Sequence, residues 1–243
     1  MNKIFQKLKY GILIVRYLIY MVWFFIESLM VPMVTKFKGQ AAAEEYKHKA
    51  VQNWCAFTFK VIGSEVEFIG QENIPDEHCL FVGNHQGILD IPALMLGANR
   101  TIGFIAKKEL FKVPIMGRWI KLCHSVGIDR EDPRDAVRVI KEGVQHLTNG
   151  FSLGIYPEGT RSKNGKIQEF KSGSLKLAIR AKVPVIPVTV DGTYAAYEEN
   201  KKFKQVKIKV IYGKPIYVEN LSKEEQKDLA VIIHDQIERN LNN

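Results

Sequence analysis

The chain has 243 residues, 46% hydrophobic and 25% charged, with only 9 Pro and 18 Gly; this excludes disorder and collagen and suits one good-sized α/β domain, with or without a short appendage. Its three cysteines (Cys55, Cys79, Cys123) contain no C-x-x-C pair, which argues against a disulfide framework or a cysteine zinc site and for a reducing compartment. The net charge of +9 is uneven: nine Lys/Arg against three Asp/Glu fall in the first 63 residues, around an apolar segment, which points to anionic membrane lipid as a partner and away from nucleic acid.

That segment, residues 11–34, is the first predicted element. Its uninterrupted apolar core, Tyr17 to Ile26, is ten residues, roughly 15 Å of helix against ~30 Å of hydrocarbon in a bilayer. Extending it takes in Arg16, Glu27 and Pro32, and each charge costs about 2.5–3.5 kcal/mol at the bilayer centre. Lys3, Lys7 and Lys9 precede it and Lys36 and Lys38 follow it, so both flanks favour the same side and a dip into one leaflet. No small-residue cleavage site follows, which argues against a signal peptide; the alternatives are an ordinary buried helix of a soluble domain and a crossing helix in which Arg16 snorkels to the interface. After Gly39, Tyr46, Ala50, Trp54, Phe57 and Val61 recur at helical spacing and predict a second amphipathic helix. The expected organisation is a membrane-docking helical hairpin over residues 1–63 and an α/β domain over 64–243.

Beyond residue 63, short apolar runs predict strands at 66–69, 79–83, 101–106, 125–129, 152–156, 185–190 and 206–211. Amphipathic stretches between and after them predict helices near 90–97, 114–122, 133–148, 172–181 and 222–241. This alternation implies an α/β fold with a mixed, largely parallel sheet covered by helices. Residues 201–214 carry six lysines around alternating Val206, Ile208 and Val210, which reads as an edge strand with a charged outer face.

Two runs at strand ends carry chemistry. Asn84-His85-Gln86-Gly87-Ile88-Leu89-Asp90 follows the strand ending at Gly83. Histidine titrates near neutrality, and a carboxylate on one ring nitrogen fixes the tautomer and makes the other a better base. Residues five apart on a helix would stand about 140° from each other, so the pair can meet only through the turn. The alternative is that Asp90 caps the next helix and His85 is a surface turn residue. Pro157-Glu158-Gly159-Thr160-Arg161-Ser162 ends a later apolar strand. Gly159 lets backbone approach a ligand and Arg161 offers a planar fork for phosphate, with Lys163, Lys166 and Lys171 behind it. A solvated basic loop is the alternative there. Gly150-Phe151-Ser152-Leu153-Gly154 spells a nucleophile elbow but precedes its strand, and Gly159 to Lys166 lacks the spacing and the Ser/Thr of a phosphate loop. No His, Cys and carboxylate set has metal-ligand spacing, so no metal is expected.

Together the two runs strongly resemble the glycerolipid acyltransferase family, most closely the bacterial 1-acyl-sn-glycerol-3-phosphate (lysophosphatidic acid) acyltransferases. Gly127-Ile128-Asp129-Arg130, Ala106-Lys107-Lys108-Glu109-Leu110 and Val183-Pro184-Val185-Ile186-Pro187-Val188 agree in order and spacing, so the resemblance covers roughly residues 65–190. The chain departs from the family's habit at Gly87, where Ser is common, at Gly127, where a larger residue is common, and at Tyr156, which replaces Phe.

The resemblance implies transfer of a fatty acyl group from a thioester, acyl-CoA or acyl carrier protein, to the sn-2 hydroxyl of lysophosphatidic acid. The product would be phosphatidic acid for phospholipid biosynthesis, with no cofactor beyond that co-substrate. It implies His85 as general base and Asp90 as the residue orienting it, and a substrate-binding set of Asn84, Lys107, Arg130, Glu158, Gly159, Thr160 and Arg161. Arg161 is the best bidentate candidate for the phosphate. Direct transfer is expected over an acyl-enzyme, because no Ser or Cys adjoins His85 in sequence. The expected location is the cytoplasmic face of the cell membrane with the N-terminal segment in one leaflet. Glycerol-3-phosphate or another lysophospholipid is the alternative acceptor, and a non-catalytic anionic-lipid-binding membrane protein is the alternative from a different class.

Overall fold

Seven strands form where the seven apolar runs lie, each within one residue of its expected bounds. The computed structural model describes residues 3–132, 134–162 and 164–242, with side chains from residue 11 onward. Met1, Asn2, Pro133, Lys163 and the side chains of Lys3, Lys7 and Lys9 therefore lie outside the described residues. Strands β1 (Glu65–Ile69), β2 (Leu80–Gly83), β3 (Ile102–Lys107), β4 (Val126–Ile128), β5 (Ser152–Ile155), β6 (Val185–Asp191) and β7 (Lys207–Tyr212) make one sheet in the order β1-β7-β6-β2-β5-β3-β4. Every neighbouring pair is parallel except β6 and β7.

The period-two geometry of a strand sorts side chains between two cores. On β2, Phe81 enters one and Leu80 and Val82 the other. The first core lies under α1 (Lys3–Ile62), α2 (Asp90–Ala98) and α3 (Met116–Leu122). The second lies under α4 (Asp135–Thr148), α5 (Lys176–Ala181) and α6 (Lys223–Leu241). Central β2 is buried along its whole length, as a strand covered on both faces must be. Ser222 caps α6 and exchanges hydrogen bonds with Glu225 in a capping box.

One expectation needs correction. β7 is second from the edge, because β1 pairs along its outer side and places Glu65 opposite Lys207 and Glu67 opposite Lys209. The lysine-rich face is therefore matched by a facing row of carboxylates rather than left as a rim. Short helical turns at Lys108–Lys112 and Tyr194–Glu198 carry no periodicity and lie outside the predicted helices.

Gly39 (φ 85°, ψ 172°) breaks α1 into two arms, residues 3–38 and 40–62, in a conformation that glycine tolerates and other residues avoid. The arms pack antiparallel, with Tyr20 stacked on Phe57 at 4.1 Å, Phe24 on Trp54 at 5.6 Å, and the hydroxyls of Tyr17 and Thr58 3.3 Å apart. In the second arm Ala50, Val51, Trp54, Cys55 and Phe59 join the sheet's own core, while the exposed positions include Glu45, Lys49, Asn53 and Lys60. That arm is an amphipathic core helix.

The first arm is apolar on both sides. Its inner stripe, Tyr17, Tyr20, Phe24, Glu27, Ser28 and Val31, faces protein. Its outer stripe, including Leu18, Ile19, Val22, Trp23, Ile26, Leu29 and Met33, is exposed. Pro32 has no N–H to give the carbonyl of Ser28, and Arg118 donates to that oxygen from Nε and Nη2, both at 3.2 Å. Trp119 Nε1 donates to the Phe24 carbonyl at 2.8 Å. Glu27 does not interrupt the outer face as the sequence reading expects: helical periodicity turns it inward with Phe24 and Val31. Gly11–Ile62 is, among the described residues, the stretch long and apolar enough by composition to cross a membrane.

Candidate active site

Strands β6, β2, β5, β3 and β4 are consecutive and parallel, so their C-terminal ends share one edge, the place where open α/β sheets bind ligands. The sequence-predicted residues all leave from that edge. The elbow-like Ser152 does not: it opens β5 at the opposite edge, and its Oγ accepts from the Cys79 N–H at 3.2 Å.

His85 Nδ1 lies 2.6 Å from Asp90 Oδ2, so the turn does bring the pair together. Asp90 is fully buried, and the same oxygen accepts the Gln86 N–H at 2.7 Å and the Gly87 N–H at 2.9 Å. Its other oxygen accepts from the Thr193 hydroxyl. The capping alternative is thereby excluded, since the carboxylate faces back into the turn and Leu89 holds the cap position of α2. Donors on both oxygens offset the cost of burying this carboxylate. With Nδ1 committed, Nε2 is the nitrogen without a partner among the described residues, on a side chain that is 14% exposed. The Tyr156 ring stacks on the imidazole at 4.2 Å and 10°, which fixes its plane. Burial drives the Tyr156 hydroxyl well above the ordinary tyrosine range, and it finds no partner among the described residues.

The loop after β5 clamps the His85 main chain from both sides. Glu158 Oε1 accepts the His85 N–H at 2.6 Å and its Oε2 accepts the Gln168 N–H at 3.1 Å, while Ser162 N–H donates to the His85 carbonyl at 2.8 Å. Desolvation raises the pKa of Glu158, against the lowering effect of those two N–H groups. Asn84 likewise spends its amide on main chain, with Nδ2 donating to the Val190 carbonyl and Oδ1 accepting its N–H, both at 2.8 Å. It locks the end of β2 to β6.

The loop turns at Gly159 and leads through exposed Thr160 to Arg161, whose side chain is 46% exposed. Arg161 Nη1 lies 3.5 Å from Glu198 Oε1, which also accepts the Ile88 N–H at 2.8 Å. Lys107 ends β3, half-exposed, with Nζ 3.7 Å from Glu109, and Arg130 is exposed beyond β4. At ordinary strand spacing, β3 and β4 stand about 10 and 14 Å from β2. These two cations share the edge with His85 but join only through a ligand long enough to span it. The room left by Gly127 is taken by Phe111, whose ring would stand 3.2 Å from a Cβ there.

Sequence reasoning missed Thr193 and Glu198. Thr193 follows β6, a direct neighbour of β2, so polar residues just past that strand were a usable signal. Glu198 sits in a turn with no motif.

The chain is an enzyme of the acyl-transfer class: the family model described as Acyltransferase matches residues 65–191, a span that holds both strand-end runs, and the chain belongs to that family. Among curated relatives, 1-acyl-sn-glycerol-3-phosphate acyltransferase of Limnanthes douglasii is 32% identical over 184 residues, covering 74% of this chain and 65% of that protein. The probable 1-acyl-sn-glycerol-3-phosphate acyltransferase of Mycoplasma pneumoniae is 30% identical over 198 residues, covering 76% and 74%. The crystal structure of the 1-acyl-sn-glycerophosphate (LPA) acyltransferase PlsC from Thermotoga maritima superposes with a TM-score of 0.77 at 30% identity, over 95% of this chain and 96% of that one. The chain spans just under two thirds of the length of the Limnanthes douglasii and Limnanthes alba relatives, 65% and 64%.

Proposed function

We propose that the protein transfers a fatty acyl group from a thioester to the 2-hydroxyl of 1-acylglycerol-3-phosphate, giving phosphatidic acid. The observation that carries this reading is the His85–Asp90 pair at 2.6 Å with Nε2 left open, beside Arg161 on the next strand end. Nε2 takes the proton of the glycerol hydroxyl as its oxygen attacks the thioester carbonyl carbon. The tetrahedral adduct then expels the thiolate, which recovers the proton from the imidazolium. Asp90 holds Nδ1–H and stabilises the imidazolium, a contribution of about 10²–10⁴ in rate for a positioned base. Arg161 clamps the phosphate, with Lys107 and Arg130 along the edge for a donor or acceptor that extends across it. Glu158 and Asn84 serve by holding the His85 turn.

The first arm seats the enzyme in one leaflet, at the cytoplasmic face where a soluble thioester donor arrives. Its inner stripe is bonded to the second arm and α3, so a crossing would drag that packing into hydrocarbon or strip Glu27 and Trp119 bare. Only the outer stripe is free to enter lipid, as an interfacial helix does.

Acyl transfer is tested by crossing two donors, acyl-CoA and acyl carrier protein thioester, with three acceptors: 1-acylglycerol-3-phosphate, glycerol-3-phosphate and a lysophosphocholine. The lysophosphatidate acceptor is expected to be used best. Preference for glycerol-3-phosphate or the choline lipid would overturn the acceptor assignment, and no thiol release with any pair would overturn the enzymatic one.

A further inference from the structure

Glu198 reaches the site from the turn after β6, with its side chain 5% exposed. Oε1 is shared between the Ile88 N–H at 2.8 Å and Arg161 Nη1 at 3.5 Å. Oε2 is buried and has no hydrogen-bond partner among the described residues. The carboxyl presses against the His85 turn so closely that a Cβ on Gly87 would stand 2.5 Å from Oε2. Glycine at that position is what admits it.

We propose that Glu198 is a positioning residue for acceptor binding: it holds the Arg161 guanidinium over the His85 turn in the free enzyme and yields it to the acceptor's phosphate monoester. The inference rests on the reading of Arg161 as the phosphate clamp. A half-exposed arginine with no counter-charge spreads over many rotamers, and a ligand must then collect it. A short bidentate ion pair would compete with the phosphate for the same fork. The contact here is neither: among the described residues it is one nitrogen at 3.5 Å, which leaves other N–H donors of the fork for a bidentate oxyanion. When Arg161 turns to phosphate, the carboxyl keeps the Ile88 N–H, so the turn under His85 does not shift. Desolvation raises the pKa of Glu198, as suits a carboxyl whose counter-charge is only partly supplied.

The test uses Glu198→Gln in the full chain, because the amide oxygen still accepts from Ile88 while the ion pair is gone. Steady-state kinetics on mixed micelles would read KM for 1-acylglycerol-3-phosphate and for acyl-CoA separately. The acceptor KM is expected to rise about tenfold, with the donor KM and kcat changed less than about twofold. Glu198→Asp, which keeps the charge but withdraws it, should give a smaller rise. In an Arg161→Ala background, Glu198→Gln should add nothing to the acceptor KM. Equal effects on both substrates, a fall in kcat alone, or a full additional effect on Arg161→Ala would show a prop for the turn and overturn the proposal. An acceptor KM untouched by Arg161→Ala itself would instead remove the clamp reading, and this inference with it.

Discussion

The first arm of α1 and the strand-end site use opposite economies of interaction. The arm's outer face is area: a stripe of exposed apolar side chains, among them Leu18, Ile19, Val22, Ile26 and Leu29, with nothing but carbon to offer a neighbour. The site is a few polar atoms with several partners each, as in the Asp90 carboxylate with its four donors. Burial of apolar area contributes roughly 25 cal/mol per Å² whatever its arrangement, so losses there are graded and roughly additive. A satisfied buried network is cooperative, and one wrong atom leaves donors unpaired at about 1–3 kcal/mol each. The comparison teaches where single substitutions bite.

Asp90→Asn should break it hardest. The amide carries no negative charge to stabilise the imidazolium, and its NH2 meets a donor wherever it points except toward the Thr193 hydroxyl, which can turn to accept. Turnover is expected to fall about 10²–10⁴-fold with a lowered melting temperature. Normal turnover in the folded variant would show the carboxylate to be a bystander.

The two neighbours Phe24 and Phe25 sharpen the contrast within one helix turn. Phe24 is 1% exposed between Trp54 and Trp119, whereas Phe25 is 37% exposed. Phe24→Ala should cost about 3–5 kcal/mol of stability. Phe25→Ala should leave melting in detergent within about 0.5 kcal/mol and weaken vesicle binding in proportion to lost area. Similar melting losses at both positions would mean that the outer face packs on protein.

A weaker effect is expected from pH at Glu158. Burial raises its carboxyl above the ordinary 4.5, so the fold binds that proton more tightly than the unfolded chain does. The stability it contributes is present at low pH and is lost as pH rises from 4.5 through the folded value. Melting of wild type against Glu158→Gln across that range should show a shallower decline in the variant. Tyr156→Phe should do least of all: the stacking ring stays, and a buried hydroxyl without a partner is removed. Activity is expected to stay within about twofold, and a large loss would give that hydroxyl a task in the reaction.

Periodicity made the strands legible, because alternation or an unbroken apolar run reports how many faces are covered. It does not report what covers them. Nothing near Lys207 and Lys209 tells of Glu65 and Glu67, which arrive from the other end of the chain to displace β7 from the edge. Arm one shows the same limit: Glu27 reads as an interruption of an apolar run, but its place on the helix circle sends it to the protein side. At the site, His85, Asp90 and Arg161 stood out because short runs at strand ends concentrate unusual residues. Thr193 and Glu198 act on that run from more than a hundred positions away, through contacts only the folded sheet creates.

The most direct measurement follows labelled acyl groups from acyl-CoA into 1-acylglycerol-3-phosphate on vesicles, comparing wild type with His85→Ala at equal folded protein. The wild type should form labelled phosphatidic acid, and His85→Ala should lose about 10²–10⁴ in rate while melting and vesicle binding persist. Phosphatidic acid formed at the wild-type rate by the folded variant would contradict a base at Nε2.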